Sequence, residues 1–528
     1  MLFSLVGVLT LLRLWAASRV GLGDVEAYYW TWSRELSAGY LDHGPLVAWL
    51  IKLGTTVLGD TAFAVRVPFV LVSALTLLAL AGVAERAVAD GPDDATHVRG
   101  DLRASLAAVA ALMCMPMFIV AGGAANPDVP LALLEVLFIG ALLNAARAAD
   151  DRRDAWRPFA VAGLLAGLAC LAKFFAVLLV IPLAATALAR PRGRRLAPLL
   201  ASLAAMAVAA SPELYWNVQH DFASLRYHFI ERHSSGFGPS LTNLGKLVGG
   251  QLLYASPGVL LLMGATFVWA WRRRAQAPLL TGPLLRVALP LGVAALLLIA
   301  LMPGAEPHWT VPAYLPLCVV AGVALPRWWR LRRWRVVTAL SVGFSLLVAA
   351  AFHVHVLTDF GVRLMPESYV PRYDLSNELH GWRRIGRDLA PLVRTLRVSS
   401  KTRRLVLVSG AHYTTCAQLS FAAQGRYRVA CPSPRLDQFD MRDGGDGSAL
   451  RGVDLVYVRD ERFPWDAEQL YRCERTRDLR RVRIHRGGRL VRRFVMQLCE
   501  GFAGLRIKRW PPEVKPRLST SKGSASGR

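Results

Sequence analysis

The residues best suited to chemistry gather just after the first apolar run. In the segment 21–49, GLGDVEAYYWTWSRELSAGYLDHGPLVAW, Asp24 and Glu26 stand immediately beyond a stretch long enough to cross a bilayer. Carboxylates at that depth are costly unless they are solvated, paired or used, and one that is used can take a proton from a hydroxyl. Tyr28, Tyr29, Trp30 and Trp32 beside them could simply anchor the segment at headgroup level, but anchoring needs no acids. Farther along, Lys173 separates two apolar stretches, where a lysine either snorkels to the surface or faces a polar cavity. Asp128 opens an apolar run and can cap a helix, contact a ligand, or do both. His220 with Asp221, and His308 before Trp309, are further ionisable groups between runs, each either solvated or a ligand contact. Asp42 with His43, Glu26 and His220 includes metal-ligand residue types, so a divalent cation is a candidate cofactor, although the spacing matches no established metal motif. No glycine-rich phosphate loop occurs, which argues against a nucleotide bound in the usual way.

The elements that must position these groups are membrane helices. Of 528 residues, 54% are hydrophobic and 19% charged, too apolar for an ordinary soluble domain of this size. Apolar runs recur from Leu2 to Leu357: Leu2–Val20, Ala64–Ala84, Leu106–Val120, Val129–Ala146, Phe159–Ala172, Phe174–Leu188, Leu196–Ala210, Leu247–Trp271, Leu284–Leu301, Val311–Leu325 and Val336–Val356. That predicts about eleven transmembrane helices in an all-α bundle, the first of them a span that carries Arg13 rather than a cleaved signal. Lysine plus arginine number 63 against 37 acids, for a net charge of +26, which in a soluble protein would suggest nucleic acid. Here the arginines cluster between runs, at 192–195, 272–274 and 330–335, and are topology signals. A cytoplasmic N-terminus then leaves the segments rich in Asp, Glu, His, Trp and Tyr on the outer face of an inner membrane.

The domain boundaries expected are 1–357 for the membrane part, 358–510 for a small soluble α/β domain outside, and 511–528 for a disordered basic tail. Strand-like runs at 404–409 and 453–458 flank a helix candidate at 415–423, and Leu479–His485 and Leu490–Leu498 read as a hairpin around Gly487-Gly488. Cys114, Cys170 and Cys318 fall in spans and are read as packing residues. Four cysteines, Cys416, Cys431, Cys473 and Cys499, lie in the outer domain; three connectivities are open, of which Cys416 with Cys431 and Cys473 with Cys499 join nearest neighbours.

The strings EAYYW and YLDHGPLVAWL resemble the first-loop signature of the polyprenyl-phosphate-dependent glycosyltransferases, a membrane class with the GT-C fold related to protein O-mannosyltransferases and to the aminoarabinose transferase of lipid A. Blocks that look like the family's follow in order: NPDVPLAL from Asn126, GLLAGLACLAKFFAVLL from Gly163, SPELYWNVQHDFASLRYHFIERH from Ser211, EPHWTVPAYLPL from Glu306, and in the outer domain NELHGW and HYTTCAQLSFAAQG. Two positions depart from the common pattern, with Val25 in place of an Asp before Glu26 and Gly44 in place of a proline after His43.

The resemblance implies transfer of a monosaccharide from a polyprenyl-phosphate donor to an extracytoplasmic lipid, protein or glycan, with inversion at the anomeric carbon. Such a transfer needs a carboxylate to accept the acceptor's proton and cations to hold the departing phosphate. Asp24 is the first choice for the base and Glu26 the second; His43 and Lys173 lead for the phosphate, with Arg66 and Arg232 behind them and Asp42, Asp128, His220 and His308 as further substrate contacts. The partners expected are the lipid-linked donor, membrane lipids and the acceptor, with no nucleic acid. A transporter or lipid-carrier flippase would also place acids and aromatics near the membrane, and convergence of the ionisable groups on one outward cavity would separate the two readings.

Overall fold

The computed structural model describes residues 1–88, 102–150, 156–230, 238, 240–302, 305–399, 404–443 and 447–507. Arg232 and the expected tail 511–528 lie outside the described residues. The bundle expected from the apolar runs is present. Among the described residues seven helices are long and apolar enough to cross a membrane: Leu2–Arg19, Ala62–Ala87, Asp128–Ala148, Arg192–Gln219, Pro278–Leu301, Pro307–Trp328 and Arg332–Leu357.

The other four runs are not single long helices, each for a local reason. The run 106–120 breaks into Leu102–Met113 and Pro116–Ala121, with Pro116 opening the second piece. The run 247–271 divides into Leu241–Tyr254 and Pro257–Arg272, bent by 95° where Ser256 takes a left-handed φ of 70° before Pro257. Trp156–Ala172 and Phe174–Leu188 are shorter apolar helices separated by Lys173, whose backbone is extended at φ −154° and ψ 132°. That break turns the lysine out of the helical path.

Helix Trp156–Ala172 packs closely on helix Leu196–Gln219, because Gly163 and Gly167 bring its backbone against the carbonyls of Ser202 and Met206. Arg13, inside the first span, is buried and donates to Ser73 Oγ at 2.6 Å and to the Phe118 carbonyl at 2.5 Å.

The segment 21–63, expected as a loop, folds into two helices, Asp24–Arg34 and Leu46–Leu58. The first starts where Glu26 reaches back to the backbone N–H of Gly23 at 2.8 Å, one half of a capping box. Its aromatics are not headgroup anchors: Tyr28, Tyr29, Trp30 and Trp32 are buried, with Tyr28 against Tyr413 and Trp30 against Phe421 of the outer domain.

The α/β domain, expected outside and called the outer domain for that reason, follows the last long apolar helix, which ends at Leu357. Strands β1 (Val406–Gly410), β2 (Asp454–Asp460), β3 (Tyr471–Arg472), β4 (Arg475–Arg486), β5 (Arg489–Glu500) and β6 (Gly504–Leu505) make a four-stranded sheet in the order β1-β2-β5-β4 and a small β3-β6 pair. β1 and β2 are parallel; β2, β5 and β4 pair antiparallel, and the expected hairpin turns at Gly487-Gly488. Helices Trp382–Ser399 and Tyr413–Ala423 cover one side of the sheet. Of the open cysteine pairings the structure contains Cys416–Cys431 and Cys473–Cys499.

Candidate active site

The sequence-predicted residues gather in two groups, one around Lys173 and one around Glu26, each at its own cavity. The first group surrounds Lys173. Its ammonium donates to Asp128 Oδ1 at 2.7 Å, and His308 Nε2 stands 3.6 Å from the other oxygen of the same carboxylate. Asp128 is not the cap of its helix, because Asn126 Oδ1 accepts the N–H groups of Asp128 and Val129 at 3.0 and 3.2 Å. The aspartate side chain is therefore left to orient the lysine. Lys173 also lies 5.8 Å from the centre of the Trp309 ring.

Lys173, His43, His228 and Trp309 form the polar end of a groove of about 400 Å³ whose remaining walls are apolar, among them Phe174, Phe175, Leu178 and Leu297. Gly44 explains how His43 reaches this place. A Cβ at position 44 would collide with the Leu171 backbone, so only glycine lets the turn after His43 lie flush against the end of helix Trp156–Ala172, two residues before Lys173.

The second group surrounds Glu26. Both its oxygens are occupied: Arg66 Nε donates to Oε1 at 2.8 Å and an Arg66 η-nitrogen to Oε2 at 2.5 Å, while the N–H groups of Ala125 and Gly23 donate at 2.9 and 2.8 Å. Burial acts to raise the Glu26 carboxyl, but Arg66 and the two backbone donors outweigh it and hold it below its ordinary value. Arg66 is spent as fully, since it also donates to the carbonyls of Val20 and Gly21 at 3.2 and 2.6 Å. The pair is a strut joining the first loop, the second span and the 125 turn.

Asp24 is buried and turned to the C-terminal domain. Its Oδ2 accepts from Arg462 at 2.7 Å and its Oδ1 from Gln418 at 3.1 Å, both residues of the outer domain. Arg462 is shared with Asp460, at 2.7 Å, and Asp460 in turn accepts from Arg492 at 2.5 Å. Asp42 has a similar place, accepting from the Tyr28 hydroxyl and from Arg435, each at 2.7 Å. Its backbone carbonyl meets His228 Nε2 at 2.8 Å.

His220 joins neither group; it stacks on Trp216 with ring centres 4.2 Å apart and bonds the Trp216 carbonyl, beside a separate small cavity. Asp42, His43, Glu26 and His220 therefore do not converge, and among the described residues no three His, Cys, Asp or Glu side chains gather as a metal site. Residue types and spacing passed over His228, Arg435, Arg462 and Glu378. His228 and Glu378 lie within blocks quoted for the resemblance, SPELYWNVQHDFASLRYHFIERH and NELHGW, and that was the signal available for them.

A multi-pass membrane bundle with a small α/β domain packed beside ionic cavities is the arrangement of a GT-C glycosyltransferase. A family described as dolichyl-phosphate-mannose-protein mannosyltransferase matches residues 42–216. The chain is 30% identical over 364 residues to the lipid A galacturonosyltransferase RgtD of Rhizobium johnstonii, covering 67% of this chain and 71% of the relative. It is 32% identical over 295 residues to the undecaprenyl phosphate-alpha-4-amino-4-deoxy-L-arabinose arabinosyl transferase 2 of Pseudomonas fluorescens, covering 52% of this chain and 46% of the relative. The fold is that of the crystal structure of ArnT from Cupriavidus metallidurans bound to undecaprenyl phosphate, with a TM-score of 0.58 at 18% identity, over 94% of this chain and 97% of that one. The chain belongs to the polyprenyl-phosphate-dependent membrane glycosyltransferases of the GT-C class. That family membership makes it a glycosyltransferase, and the relatives support the transferase reading over the transporter one.

Proposed function

We propose that the protein moves a monosaccharide from a polyprenyl-phosphate carrier to a lipid-borne acceptor on the outer face of an inner membrane, with lipid A as the leading acceptor. The observation that carries this reading is the groove behind Lys173: an apolar channel of about 400 Å³ ending in one lysine, two histidines and a tryptophan suits a prenyl tail with a phosphate at its head. The relatives named for lipid A and for an undecaprenyl-phosphate sugar support the same acceptor and donor.

In this reading Lys173 and His43 hold the phosphate and stabilise the charge that grows on it as the glycosidic bond breaks. Asp128 positions Lys173, and His308 supports Asp128. A second cavity, of about 380 Å³, walled by Ala17, Val20, Val120, Phe352 and Val356 and ending at Glu26, Arg66 and Glu378, takes the acceptor. Attack from that side, opposite the phosphate, inverts the anomeric carbon. Asp24 and Asp42 tie the first loop to the outer domain, and the Glu26–Arg66 strut fixes one end of the acceptor cavity. The N-terminus is cytoplasmic and residues after Leu357 are extracytoplasmic, because the arginine clusters then all face the cytoplasm.

The test is to reconstitute the full chain in lipid and offer lipid A with a panel of undecaprenyl-phosphate sugars that includes a hexuronate and an aminopentose. Label appearing on lipid A from one of these donors is the expected result. No transfer from any of them to lipid A, while another membrane fraction becomes labelled, overturns the acceptor; no transfer to anything overturns the donor.

A further inference from the structure

A transfer of this kind needs one carboxylate that faces the acceptor and still has lone pairs to offer. Around Gly23 stand Glu26, Asp24 and Glu378, and they differ in what they touch. Glu26 lines the acceptor cavity but has four donors on its two oxygens. Asp24 is not among the cavity's lining residues, and its oxygens are held by Arg462 and Gln418. Glu378, in the short turn Leu375–Leu379 of the outer domain, lines the cavity directly. It meets the backbone N–H of Asp24, and its nearest cation, Arg462, stands 3.7 Å away, too far for a hydrogen bond, and already serves Asp24 and Asp460 at 2.7 Å each, so lone pairs remain for a substrate.

We propose that Glu378 is the general base of the transfer, a catalytic residue contributed to the membrane site by the outer domain. The acceptor hydroxyl forms its bond to the anomeric carbon as the bond from that carbon to the phosphate oxygen breaks. The leaving electron pair stays on the polyprenyl phosphate at Lys173 and His43, and the hydroxyl proton passes to a Glu378 oxygen.

The local geometry supports this assignment in two further ways. A Cβ built on Gly23 would lie 3.3 Å from Glu378 Oε1 and 3.4 Å from Glu26 Oε2, so the two carboxylates flank Gly23 at the same end of the cavity. Asn126 lines this cavity and also a small one of about 40 Å³ lined by Asp128, whose carboxylate accepts from Lys173 of the donor groove, so one hydrogen bond links the 126–128 turn to the phosphate end of that groove. Burial and the neighbouring Asp24 carboxylate push Glu378 up to about 7, against the pull of Arg462, which suits a base working near neutrality.

The inference rests on the reading that this cavity holds the acceptor, and the experiment separates the two. Wild-type protein in lipid is first shown to transfer from one donor of the panel to lipid A; failure at that step counts against the proposed function and not against Glu378. With turnover in hand, Glu378→Gln is expected to lose about 100-fold or more in kcat while still binding undecaprenyl phosphate as wild type does. Glu378→Asp keeps part of the rate. Asp24→Asn tests the idea without touching Glu378: removing the like charge, and freeing Arg462, moves the acid limb of the pH–rate profile to lower pH with turnover retained. Near-wild-type kcat in Glu378→Gln overturns the proposal, and so does an Asp24→Asn enzyme that folds, binds undecaprenyl phosphate and is inactive, since the base would then be Asp24. If Glu378→Gln does not fold, the direction of the Asp24→Asn shift decides, an unmoved acid limb counting against Glu378.

Discussion

Replacing Arg66 with methionine should be far more damaging than removing a surface charge. The Glu26 and Arg66 side chains are only 9% and 6% exposed, and Arg66 supplies two of the four donors on the carboxylate. Taking one partner from a buried ion pair costs about 3–5 kcal/mol, because the other charge stays desolvated. The N–H groups of Gly23 and Ala125 remain on Glu26, so the lower end applies, about 3 kcal/mol or roughly a 100-fold drop in the folded-to-unfolded ratio. The carbonyls of Val20 and Gly21 also lose their donor, which adds to the loss.

A double-mutant cycle with Glu26→Gln isolates the pair. Unfolding of wild type, Arg66→Met, Glu26→Gln and the double variant in mixed micelles, followed by the fluorescence of the buried Trp30 and Trp32, should give a coupling energy of about 2 kcal/mol, with the double variant more stable than the two single losses predict together. A loss under about 1 kcal/mol in Arg66→Met, with coupling indistinguishable from zero, would refute the strut.

Lys173→Met should weaken undecaprenyl phosphate binding by roughly 10- to 100-fold, measured by titration in nanodiscs, because one charge-assisted phosphate contact is removed. Asp128→Asn should have a smaller effect on binding but lower kcat, since the lysine remains while its orientation is loosened; equal losses in both variants would argue against a positioning role. Cys416→Ser should destabilise the outer domain by about 3 kcal/mol, given the 15-residue separation of Cys416 and Cys431, and proteolysis of that domain should quicken. Asp460 is held below its ordinary carboxylate value, with burial opposed and outweighed by Arg492 and Arg462. A depressed carboxyl adds stability above its unfolded value and loses it as pH falls, so the outer domain should loosen below about pH 4 and not on the alkaline side, as hydrogen exchange at β2 would report.

How much of this was legible beforehand depended on the distance over which each feature is encoded. Hydropathy is a local property, so the apolar runs, the Gly487-Gly488 hairpin and the strand-like runs near 406 and 454 could be read directly, and the helical bundle and small α/β domain followed. The shortened helices were also local once the breaking residues are weighed: Pro116, Pro257 with Ser256, and the extended Lys173 each stop a helix that composition alone would continue. The helix Asp24–Arg34 was missed because Tyr28 and Trp30 pack on the outer domain, and a partner hundreds of residues away leaves no periodic mark near residue 28.

The residue types of the site came from the sequence, but their roles did not. Asp24 and Glu26 are two residues apart and look interchangeable, yet Glu26 is bound by Arg66, 40 positions on, and Asp24 by Arg462, 438 positions on. Lys173 could have snorkelled to the surface; what turned it into a site is Asp128, freed for that purpose by the cap that Asn126 supplies. Composition and spacing determine which groups a chain can afford to bury beside a membrane. Only the folded chain decides which of them are neutralised by partners and which are left facing a cavity, because a charge is compensated by whatever lies within a few ångströms, and sequence separation does not fix that distance.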